Sequence, residues 1–162
     1  MTGCLEACRR CDAVVDAVVD RSPSGFEAIG PHLRHCIEHF RLLLDGWRVG
    51  LVDYDARPRE GALEHDPLAA RAALAEIADD LAGIDRADLG RAFVVRQLPA
   101  PACSPVSSPT RLDRELLFLS GHTIHHIAIM LLAARAAGIE LPAALGVAYS
   151  TEAHHESLVS NV

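Results

Sequence analysis

Aromatic residues are scarce: the 162-residue chain has one Trp, two Tyr and four Phe. Alanine and leucine abound instead, which favours helices over strands. No basic patch is visible and the formal charge is −7, which argues against nucleic acid as a partner. No apolar run reaches about 18 residues without polar breaks, and no charged-then-apolar leader opens the chain. A cytoplasmic protein with no membrane partner is therefore expected. There is no internal repeat, no low-complexity segment and no sign of a second domain, so one domain over 1–162 is expected. Half of the residues are apolar, which excludes general disorder. The five cysteines are odd in number and are read as thiols.

What is present is helical periodicity. Cys4, Cys8, Cys11, Val15 and Val18 share one stripe of a first helix over 3–20. On a helix these thiols continue the valine stripe, so packing is favoured over an iron–sulfur cluster. Ser24 and Glu27 match a capping box ahead of a second helix, about 26–48. Its wet face is Arg34, Glu38, Arg41, Asp45 and Arg48. Leu33, Ile37, Phe40, Leu44 and Trp47 form a buried flank, and His32, His35 and His39 lie on the flank beside it. Residues 50–66 read as a long crossover. Asp66 and Pro67 start a third helix over 67–83, with Ala70, Leu74, Ile77, Leu81 and Ile84 as its stripe. Periodicity is lost from 85 to 108, where 92–98 reads as a short extended piece and Pro99, Pro101, Pro105 and Pro109 bar a helix. A fourth helix starts near 108–110, with Asp113 placed to help cap it, and ends around Gly138. The tail from Gly146 is polar, and His154 and His155 in it read as exposed. The expected fold is all-α, a four-helix bundle with long crossover connections.

The fourth helix holds the chemistry. ELLFLSGHTIHHIAIMLL (115–132) is apolar almost throughout yet carries His122, His125 and His126. At roughly 100° per residue His122 and His126 share one face, a spacing at which two imidazoles can hold one metal ion. Buried imidazoles are unfavourable without partners. Hydrogen-bonded core histidines are the plainer alternative. Glu115 shares the face, but about 10 Å along the axis, too far to join them as a ligand.

IGPHLRHCIEHF (29–40) and RELLFLSGHTIHHIAIM (114–130), with VDYD (52–55) and GVAYST (146–151), resemble the DinB-like (YfiT-like, damage-inducible) superfamily of four-helix metal-binding proteins. The resemblance implies that His35, His122 and His126 bind one divalent metal, nickel or zinc, with an open coordination position. His32 and His39 are rivals or supporting donors on the same face, and His125 lies outside the pattern. The resemblance further implies a metal-dependent enzyme, a thiol-dependent S-transferase or hydrolase. Its co-substrate would be a low-molecular-weight thiol such as mycothiol or bacillithiol; relatives of this kind are often dimers, and the composition permits a homodimer as well as a monomer. The alternative is a metal- or ligand-binding stress-response protein without catalysis. No catalytic residue is assignable from the sequence.

Overall fold

The computed structural model describes residues 1–160. The chain is mainly helical, with one small sheet. Helices α1 (Thr2–Arg21), α2 (Phe26–Gly46), α3 (Ala62–His65), α4 (Pro67–Ala82), α5 (Leu112–Ala136) and α6 (Tyr149–Ser160) are joined by strands β1 (Leu51–Asp53), β2 (Ala92–Gln97) and β3 (Val106–Arg111). The four long helices close a ring of contacts. α5 packs on α1 and α2, and α4 packs on the same two from the other side.

The helical stripes explain this ring. Cys4, Cys8, Cys11, Val15 and Val18 are all buried along α1, as their spacing predicts. Leu33, Ile37, Phe40 and Leu44 line α2, and Ala70, Leu74, Ile77 and Leu81 line α4. Each fully buried Leu or Ile contributes roughly 1.5–3 kcal/mol, so these stripes dominate the choice of packing. Asp66 accepts from Leu68 N at 2.8 Å and caps α4, with Pro67 at its first position. By length and composition α5 could cross a membrane, yet it packs here against α1 and α2 and buries Glu115.

The small sheet is where the structure goes beyond the expected helices. The extended piece at 92–98 is β2, the central strand. It pairs parallel with β1 and antiparallel with β3, with Val52 opposite Val95 and Val94 opposite Pro109. Pro109 has no N–H to donate, and it sits in an edge strand, where the loss is tolerated. The run 106–111 is therefore strand, and α5 begins only at Leu112. Asp113 accepts from Arg114 N without acting as the N-cap, and the Ser24–Glu27 capping box does not form.

Two glycines permit close approaches that place the sheet and the connection beside α2. A Cβ on Gly46 would lie 2.5 Å from Leu51 O, where β1 leaves α2. A Cβ on Gly30 would lie 2.1 Å from Glu64 O, where α3 crosses it. Both contacts require a residue without a side chain.

The polar tail is also helical. Arg10, buried in α1, donates to Glu152 at 2.6 Å and to Val147 O at 3.1 Å. Tyr149 donates to Gly3 O at 3.0 Å. These long-range bonds hold α6 against α1, and no local periodicity reveals them. His154 and His155 are exposed, as expected.

Candidate metal centre

The site forms where α2 crosses α5. Spacings of three and four residues put His32, His35 and His39 on one face of α2, and a spacing of four aligns His122 with His126 on α5. The crossing brings His35 Nε2 to 2.9 Å from His122 Nε2. His35, His39 and His122 each offer a ring nitrogen, and these atoms all lie within 4.8 Å of one another.

His126 packs on the same cluster. Its ring centroid is 4.3 Å from that of His35 and 4.6 Å from that of His122. Its Nδ1 faces His32 Nδ1 at 3.3 Å. The three rings expected from the resemblance, His35, His122 and His126, are therefore neighbours, while the group with mutually close ligand atoms contains His39 with His35 and His122. His125 is exposed and touches only the edge of the cluster, its ring 5.7 Å from that of His126.

Burial sets the charge state. Desolvation pushes His39, His122 and His126 down to about 4, and His35 to about 2, helped by the positive charge that neighbouring rings and Arg57 would present. All four are neutral at pH 7, which is the state a metal requires. His39 Nδ1 lies 2.8 Å from His35 O. A carbonyl only accepts, so Nδ1 carries the proton and Nε2 keeps its lone pair.

Surrounding groups hold the rings. Tyr54, just past β1, stacks on His39 with centroids 5.3 Å apart and planes 18° from parallel. Its hydroxyl donates to Glu115 at 2.9 Å, and burial pushes that hydroxyl far above its usual pKa. Glu115 also accepts from Thr110 at 2.7 Å and from Arg114 at 2.9 Å. It supports the site through Tyr54 and is no ligand, in line with its distance along α5. Phe118 stacks on His122 at 5.3 Å. Arg57, from the connection after β1, donates to His35 Nδ1 at 2.6 Å.

Tyr54, Arg57 and Glu38 were not singled out as site residues by sequence. Glu38 falls on the α2 stripe that reads as wet, yet its carboxylate is fully covered. Its Oε1 accepts from Glu60 N at 2.9 Å. The nearest signal to Tyr54 is the VDYD run, which carries no role of its own.

The donor set fits a divalent transition metal. A tetrahedral site with metal–nitrogen bonds of about 2.0–2.1 Å needs nitrogens about 3.3 Å apart. The His35–His122 separation of 2.9 Å is close to that. Imidazole donors suit zinc, nickel, copper and iron alike. A cavity of about 930 Å³ lies elsewhere, between the start of α1, β3 and the start of α5, and no histidine lines it.

Comparison with protein-family models, with curated proteins and with solved structures gives no match for this chain.

Proposed function

We propose that the protein is a divalent-metal-binding four-helix bundle of the DinB-like kind, in which α1, α2, α4 and α5 are the bundle helices. The observation that carries this reading is the 2.9 Å approach of His35 Nε2 and His122 Nε2, from helices far apart in sequence. Two imidazoles that close need pairing, by a hydrogen bond between them or by a shared metal, and a third ring nitrogen within 4.8 Å of both favours the metal. His39 is the third donor favoured by ring-nitrogen distance, and His126 is the third donor favoured by the family pattern.

The activity proposed is thiol-dependent S-transfer or hydrolysis. Held by three imidazoles, a zinc or nickel ion supplies Lewis acidity toward a thiol or a carbonyl. The chain's own residues do the rest. Burial keeps the imidazoles neutral, Tyr54 and Phe118 hold two rings in place by stacking, and His122 and His126, partly exposed, give the cluster an edge on solvent.

The test is elemental analysis of protein purified without affinity tag or added metal. About one equivalent of zinc or nickel per chain is expected. His122→Ala should lose it, and a chelator should lower the melting temperature of the wild type. A metal-free protein whose melting ignores chelator would refute metal binding. Comparing His39→Ala with His126→Ala identifies the third donor. Turnover of an electrophile with a panel of small thiols, lost in His122→Ala, tests the enzymatic part. Stoichiometric metal with no turnover would leave a metal-binding protein without catalysis.

A further inference from the structure

Arg57 and Glu38 flank the histidine cluster, and neither is in the ligand group. Arg57 Nη1 lies 2.6 Å from His35 Nδ1. A guanidinium can only donate, so His35 Nδ1 accepts. The proton of neutral His35 then sits on Nε2, the atom that faces His122 Nε2 at 2.9 Å. In that tautomer His35 has no lone pair to offer toward the other rings. His39 is the opposite case, with its proton held at Nδ1 by a carbonyl and Nε2 free.

For His35 Nε2 to bind a metal, its proton must move to Nδ1. That N–H would then point at a guanidinium N–H, and two donors cannot share 2.6 Å. Arg57 has somewhere else to go. Glu38 Oε2 is buried and lacks a hydrogen-bond partner; it stands 3.9 Å from Arg57 Nη1 and 3.8 Å from Arg34 Nε, whose Nη1 is already paired with Glu64. A charge-assisted bond of about 2.8 Å needs a shift of only about 1 Å. The other oxygen of Glu38 already holds the same connection through Glu60 N.

We infer that Arg57 is a positioning residue with two seats, on His35 Nδ1 when the site is metal-free and on Glu38 Oε2 when metal binds. The inference rests on the metal reading above. The proton count balances: Nε2 gives one proton to water, Nδ1 takes one from water, and Arg57 stays charged throughout. Metal affinity is therefore set partly by how strongly Arg57 holds the wrong tautomer of its ligand.

The test is zinc affinity, by competition with a chelating dye, for wild type, Arg57→Met, Glu38→Gln and the double variant. Arg57→Met should bind zinc about tenfold tighter and Glu38→Gln several-fold weaker. In the Arg57→Met background, Glu38→Gln should have almost no effect on zinc affinity, because Glu38 then has no Arg57 to draw off His35, and Arg34, its other cationic neighbour at 3.8 Å, is not hydrogen-bonded to His35. Two charges acting independently on the ion would instead give additive changes, and additivity overturns the inference. Ring-nitrogen NMR of the wild type gives a second readout that needs no variant to fold. His35 Nδ1 should be bare in the zinc-free protein and protonated in the zinc-loaded one. A protonated Nδ1 without zinc overturns the inference. If zinc does not bind at all, the metal reading fails with it. If zinc binds and Arg57→Met binds no tighter, only the two-seat assignment fails.

Discussion

Acidifying the metal-free protein should weaken its fold in a window set by the histidine cluster. His39, His122 and His126 have folded-state values of about 4 because burial disfavours their charge. In the unfolded chain the same rings titrate near 6.5. The unfolded state therefore binds more protons between these values, and stability must fall as pH falls. The contribution is fully present above about 6.5 and is lost progressively toward about 4. From pH 7 to pH 5 one such ring costs about 1.8 kcal/mol. The rings share one crossing and titrate together, and their partial exposure screens them, so about 3 kcal/mol is expected for the set. Glu6 is held at about 2 by its bonds from Arg9 and Arg10, and unfolded carboxylates titrate near 4. The assay is urea denaturation of chelator-treated protein at pH 7, 6 and 5. The midpoint should drop steadily, and His39→Ala/His122→Ala should flatten the slope whatever it does to stability itself. A midpoint unchanged from pH 7 to pH 5 would refute the claim that these rings are buried and neutral.

Three further outcomes are expected. Gly30→Ala forces a Cβ to within 2.1 Å of Glu64 O, so α2 and α3 must separate, and thermal melting should show a loss of about 2 kcal/mol or more. Tyr54→Phe removes one of three hydrogen bonds to buried Glu115, and chemical denaturation should register a loss of about 1–2 kcal/mol, with none if the hydroxyl faces solvent. A thiol reagent should label Cys103 quickly and the other four slowly. Cys103 is exposed, whereas burial drives Cys8 up to about 12 and Cys4 to about 11. Fast labelling of more than one thiol in the native protein would contradict this.

The long helices were legible in the sequence because each has a local cause. The stripe Cys4–Cys8–Cys11–Val15–Val18 and the Asp66–Pro67 start need no distant partner to be recognised. The face shared by His122 and His126 is likewise a property of one helix. The sheet was only partly legible: β2 reads as extended, but β1 and β3 are short pieces that exist through pairing with it. The α6 tail carries no amphipathic signal and is held by Arg10 and Tyr149, contacts with the far end of the chain. Periodicity also misplaced Glu38, because a residue on the outer face of α2 is covered only once the Arg57–Glu60 connection folds over it. Sequence by itself determined which apolar side chains and which histidines share a face of each long helix, since that follows from a 3.6-residue repeat. Only the tertiary structure decided which of those histidines meet, which ring nitrogens of His35 and His39 face a donor or a carbonyl, and that Tyr54 and Arg57 stand against them, because such contacts depend on where helices cross and loops close.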